Sequence, residues 1–141
     1  AGTTPGAIDI DTGAPLAICP IQSALTNCEV VDETNAMIAA AAADGTTLTI
    51  GNSYRDPQQQ IDLRRQNCGT SHEAIYEWPS SSCSPPTARP GTSQHEKGLA
   101  IDFASCSDRT TACWKWLNDN ADRFGFYPFP VEAWHWSTTG N

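Results

Sequence analysis

Apolar positions recur along this chain with two different periods. Thr34 to Ala43 is almost uniformly helix-forming and stops at Asp44-Gly45, with Asp32 as a candidate N-cap and Glu33 in the first turn. Thr46 to Ile50 alternates threonine with apolar residues, as a half-buried strand does. Asp56-Pro57 supplies a cap and a first helical residue for a second helix, which ends near Cys68-Gly69. Residues 70–92 hold clustered Ser, Pro and Thr without a period, which predicts a long surface loop of the kind that borders a cleft. Gly98 to Phe103 sets small or charged residues (Gly98, Ala100, Asp102) against large apolar ones (Leu99, Ile101, Phe103), so one face of a strand is core and the other bare. Thr111 to Phe124 places Cys113, Trp116, Leu117, Ala121 and Phe124 at helical spacing, with Gly125 as the stop. The segment from Phe126 to Ser137 carries two prolines and then Trp134-His135-Trp136, a last strand with His135 facing opposite to both indoles.

The pattern describes one domain over residues 1–141, with an extended N-terminal arm (1–30) and a core (31–141). Leu, Ile, Val and Phe make up only 22 of 141 residues, a modest core that needs covalent help. Six cysteines supply it: the spacings 19/28, 68/83 and 106/113 suit three local disulfides, Cys19–Cys28, Cys68–Cys83 and Cys106–Cys113, and no C-x-x-C is present. That usage points to an exported, secreted protein. With 16 acidic and 8 basic side chains and a net charge of -8, a nucleic-acid partner is not expected. No apolar run reaches the roughly 20 residues that span a bilayer, so no membrane span is expected either. We expect a monomer.

Candidate chemistry gathers around the strand from Gly98. Asp102 projects a carboxylate from the bare face, His95 lies just upstream, and His135 is presented from the last strand. Two imidazoles and a carboxylate can converge on a divalent metal and leave one position open, or the histidines can be ordinary hydrogen-bonded side chains. Glu132 precedes His135 by three residues and is a candidate general base. On a regular strand the two would face opposite ways, so this role requires a bend, which Pro128 and Pro130 favour. His72 has no motif around it and reads as solvated. Asp11-Thr12-Gly13 has the look of an aspartic-protease turn, but no second copy exists, and an N-terminal turn explains it better.

Ser93-Gln94-His95-Glu96-Lys97-Gly98-Leu99-Ala100-Ile101-Asp102 fits S-x-H-x-x-G-x-A-x-D, and Glu132-Ala133-Trp134-His135-Trp136 fits E-x-W-H-aromatic. Together they resemble the zinc D-alanyl-D-alanine carboxypeptidases of VanY type. Asn52-Ser53-Tyr54-Arg55-Asp56 with Gln60 resembles the family's S-G-Y-R-S-x-x-x-Q, keeping Tyr54, Arg55 and Gln60 and changing three other positions. The resemblance covers about residues 31–141. It implies an α+β fold, a small domain with a central, mainly antiparallel sheet flanked by helices. It further implies one Zn2+ held by His95, Asp102 and His135, with Glu132 as general base and Arg55 stabilising the oxyanion. Ser93, Gln60 and Tyr54 would contact substrate. The implied reaction is hydrolysis of peptidoglycan stem peptides ending in D-Ala-D-Ala by zinc-activated water, in the bacterial cell wall or extracellular space. An endopeptidase of the same family, and a zinc-stabilised binding module without turnover, remain as alternatives.

Overall fold

The computed structural model describes residues 7–141; the first six residues of the predicted arm lie outside them. The arm is not merely extended. β1 (Ile18–Ile21) and β2 (Ala24–Asn27) pair antiparallel as a hairpin, stapled by Cys19–Cys28, and Ile21 is buried in the main core. α1 (Val31–Ala43) follows. Its N-cap is Val30, which offers no side-chain cap, so Asp32 is not the cap; Asp32 and Glu33 instead sit in the first turn, where carboxylates meet the positive end of the helix dipole.

β3 (Ile50–Asn52) begins where the predicted strand over 46–50 ends. Leu48 and Ile50 are buried while Thr47 and Thr49 are exposed, so the alternation is real, yet the backbone there is tied to a side chain. The Gln22 amide accepts from Ile50 N (2.8 Å) and donates to Leu48 O (2.9 Å). α2 (Pro57–Asn67) opens on a full capping box: Asp56 Oδ1 accepts from Gln59 N (2.7 Å) and Gln59 Oε1 from Asp56 N (2.8 Å).

The predicted loop 70–92 contains α3 (His72–Tyr76) and a 3-10 turn over Ser80–Ser82. An arginine organises it. The fully buried Arg64 of α2 donates to the carbonyls of Ile75 (2.9 Å), Thr87 (2.6 Å), Ala74 (2.6 Å) and Trp78 (2.8 Å), while Cys68–Cys83 ties the end of α2 to the middle of the loop.

A 3-10 turn over Gln94–Lys97 leads into β4 (Ala100–Phe103). Gly98 is not part of that strand: with φ +68° it caps the turn, and a Cβ there would lie 2.6 Å from Asn27 N. It therefore gives room to the hairpin rather than to a ligand. α4 (Ala112–Asn120) tightens into a 3-10 turn over Ala121–Phe124 and stops at left-handed Gly125, and Cys106–Cys113 tethers its start. β5 (Tyr127–Phe129) and β6 (Glu132–Ser137) complete an antiparallel sheet of order β3-β4-β6-β5. Met37, Leu48, Phe103, Leu117, Phe126 and Trp136 fill the core between this sheet and the helices. The class is the predicted α+β with an antiparallel sheet.

Candidate active site

The two central strands set the site. Asp102 on β4 is paired in register with His135 on β6, and Asn52 on β3 lies opposite Asp102 on its other side. His95 reaches the same point from the 3-10 turn, whose capping box is Ser93 with Glu96. The β5–β6 register slips between Pro128 and Phe129, so Phe129 pairs with Glu132 while Pro128 pairs with Trp136. That irregularity is the bend the sequence required: Glu132 and His135 line one cleft. Trp136 is buried in the core, whereas Trp134 is half-buried and lines the cleft beside His135, so the two indoles part ways.

His95 Nε2 lies 3.1 Å from Asp102 Oδ1 and 3.2 Å from His135 Nδ1, which is itself 3.0 Å from Asp102 Oδ1. The tautomers follow from the far side of each ring. Carbonyls only accept, so His95 Nδ1–H donates to Ser53 O (2.7 Å) and His135 Nε2–H to Asn141 O (2.8 Å). Two imidazole lone pairs and a carboxylate oxygen then face one another. Such a triangle needs a proton or a cation at its centre. Tetrahedral bonds of about 2.0–2.1 Å put zinc's donor atoms about 3.3 Å apart, close to the separations here, and a second ring nitrogen fixed on a carbonyl is the usual support of a metal-binding histidine. The residues fit a zinc ion.

Titration follows the same charge pattern. Burial pushes the Asp102 carboxyl up, but the hydrogen bonds from His135 and His95 together hold it well below the usual carboxylate range. Burial dominates at His95 and lowers its pKa; at His135 the Asp102 carboxylate and its hydrogen bond outweigh burial and raise it. The two directions favour a proton on His135 over one on His95, in the place a cation takes.

The cleft has a volume of about 420 Å³, and Arg55 is the one cationic side chain lining it among the described residues. Arg55 Nη1 donates to Gln60 Oε1 (2.7 Å), and its Nη2 stands 3.9 Å from Asp102 Oδ2. Gln60, fully buried, donates onward to Ala88 O (2.8 Å), so its two ends link Arg55 to the loop wall. The Glu132 carboxylate makes no hydrogen bond among the described residues; burial, then the Asp102 charge, raises its pKa. Ser93 lines the cleft and its hydroxyl accepts from His95 N (3.2 Å). Tyr54 is not among the lining residues. His72 stands apart on α3, stacked on Tyr76. Sequence reasoning did not single out Ser53 and Asn141, which act through backbone carbonyls that no side-chain pattern marks. It also passed over Glu96, a buried carboxylate that accepts from Gly91 N (3.0 Å) and Ser93 N (3.2 Å) and fixes the segment carrying Ser93.

Fold and site together define a small α+β domain with a metal-type triad in a cleft. The VanY D-alanyl-D-alanine carboxypeptidase family model matches residues 23–141, and the chain belongs to this family. A D-alanyl-D-alanine carboxypeptidase of Enterococcus faecalis is 29% identical over 116 residues, covering 72% of this chain and 43% of that protein. This chain spans less than half the length of the curated relatives it matches. The crystal structure of VanYB in complex with D-alanine-D-alanine superposes with a TM-score of 0.68 at 22% identity, covering 89% of this chain and 78% of that one. A VanY E175A variant in complex with Zn(II) gives the same TM-score and identity over 86% and 78%. The LdcB LD-carboxypeptidase is 28% identical with a TM-score of 0.62, over 84% of this chain and 61% of that chain.

Proposed function

We propose that this chain is a zinc-dependent carboxypeptidase that removes the terminal D-Ala from peptidoglycan stem peptides ending in D-Ala-D-Ala, outside the cell. The observation that carries the reading is the triangle of inward lone pairs from His95, Asp102 and His135, in one cleft with an unengaged Glu132 and the guanidinium of Arg55. Zinc bound to His95, Asp102 and His135 would supply Lewis acidity, polarising a carbonyl and making water a nucleophile near neutral pH. Glu132 takes the proton from the attacking water and returns it to the leaving amine; its raised pKa suits both duties. Arg55, braced by Gln60, donates to the oxygen on which charge develops, a contribution of about 10²- to 10³-fold for one such donor. Ser93 and Gln60, which line the cleft, are the candidates for substrate contact, whereas Tyr54 stands outside the lining and is not one of them.

The likeness to VanYB with D-alanine-D-alanine supports the substrate, and that to the Zn(II) complex supports the metal. The likeness to LdcB adds a second substrate to try, a stem peptide with a terminal L,D bond. The test is mass spectrometry of a muropeptide ending in D-Ala-D-Ala after incubation with and without a zinc chelator. Chelator-sensitive loss of one D-Ala is expected. Internal cleavage would make the protein an endopeptidase, and an intact peptide with either terminus would leave a zinc-stabilised binding module.

A further inference from the structure

The stapled N-terminal hairpin lies behind the turn that carries His95, and nothing in the reaction uses it. Thr26 Oγ1 donates to Gly98 O (3.1 Å), Asn27 N donates to the same carbonyl (3.0 Å), and Asn27 Nδ2 donates to Lys97 O (3.0 Å). These are the terminal carbonyls of the 3-10 turn over Gln94–Lys97, groups that such a turn leaves without partners of its own. Both Thr26 and Asn27 are buried, as is Ser53, whose hydroxyl sits 3.2 Å from Thr26 Oγ1 and whose carbonyl holds the far nitrogen of His95. Gly98 touches Asn27 so closely that no side chain fits between them. Lys97 is further paired with Asp11 of the arm. One side of the turn aims His95 at the cleft, and the other is fastened to the hairpin.

We infer that Thr26 and Asn27 are positioning residues for the His95 zinc ligand, and that the Cys19–Cys28 staple sets how tightly the site retains its metal. An isolated pair of four-residue strands is marginal in water, so the staple, one residue beyond Asn27, is what keeps β2 in register against the turn. β1 with Cys19 precedes residues 23–141, so this support comes partly from outside the segment matched by the family. The inference rests on the reading of His95, Asp102 and His135 as zinc ligands.

The test is the zinc dissociation constant, read by competition with a chromophoric chelator at a temperature where each apo protein is folded by far-UV circular dichroism. Thr26→Val keeps the shape and removes the hydroxyl; zinc binding should weaken about threefold or more, a fraction of the cost, about 10- to 100-fold, of losing a direct partner of a metal-binding side chain. Thr26→Ser, which retains the donor, should bind as wild type does. Asn27→Ala and the double change Cys19→Ser with Cys28→Ser should weaken zinc in the same sense. A folded Thr26→Val with a dissociation constant within twofold of wild type overturns the inference, whatever the fate of the cysteine variant. A wild-type chain that takes up no zinc overturns the metal reading itself, and this inference with it.

Discussion

Replacing Arg64 with Met should loosen the cleft's outer wall without touching the site. The guanidinium is fully buried and makes four hydrogen bonds, all to backbone carbonyls; among the described residues no carboxylate pairs with it. Hydrogen bonds from a charged group contribute about 1.5–3 kcal/mol each, and burying the charge costs several kcal/mol, so the gross gain is largely offset. The substitution does not return to that neutral point. The carbonyls of Ala74, Ile75, Trp78 and Thr87 cannot be mutated away, and three of them belong to buried residues that would lose their donor. Three buried carbonyls left without a donor cost about 1–3 kcal/mol each, partly offset because the charge is no longer buried, so a net loss of about 3–5 kcal/mol follows. At about 2–4 °C per kcal/mol for a chain near this size, Tm should fall by about 6–20 °C in thermal unfolding followed by circular dichroism. Cys68–Cys83 still bridges the segment, so the variant should fold with a locally open loop and be nicked faster by chymotrypsin after Tyr76. A fall of less than 3 °C with unchanged cleavage would refute the assignment of Arg64 as the organiser of residues 70–92.

Other variants probe the chemistry. Glu132→Ala should lower kcat by at least about 10²-fold while elemental analysis still finds zinc bound; full activity would remove Glu132 from the reaction. Arg55→Lys keeps the charge but loses the fork that holds Gln60 and faces the cleft, so kcat should drop about 10²-fold in steady-state assays, and a change confined to KM would instead assign Arg55 to ground-state binding. His95→Ala should lose zinc and His72→Ala should keep it by the same elemental analysis, since His72 stacks on Tyr76 away from the triad; equal retention would break the ligand set.

Much of the fold was legible because it is written in local chemistry. The Asp56-Pro57 cap, the stop at Gly125 and the spacing of Trp116 and Leu117 are signals carried within a few residues, and each marks a real boundary or core face. The readings that shifted depend on distant partners. The strand predicted over Thr46 to Ile50 alternates correctly, but its backbone bonds to the Gln22 side chain, 28 positions before Ile50, and through Thr49 to Ser105 Oγ and Ala104 N. Helix α2 buries Gln60 and Arg64, two polar residues that a hydrophobic pattern assigns to solvent, and so the order they impose on residues 70–92 was invisible. Gly98 looked like empty space above a sheet because the sequence does not reveal that Asn27 fills it.

The site shows the same division with the opposite balance. Its side chains were legible as types at fixed spacings, because imidazole and carboxylate groups are common donors to a divalent cation. What makes them a site is supplied by groups with no side-chain signature: the carbonyl of Ser53, the carbonyl of Asn141 and the slipped register of β6. The slip is the most demanding of these. In a strict two-residue alternation Glu132 and His135 would stand on opposite faces, separated by the thickness of the sheet. By pairing Phe129 with Glu132 and Pro128 with Trp136, the β5–β6 turn absorbs residues 133–135 on one strand and brings both side chains to one cleft. Pro128 suits that position because β5 is the sheet's edge, where a missing backbone donor costs no ladder bond. The prolines before the last strand therefore shape the cleft as much as the histidine after them lines it.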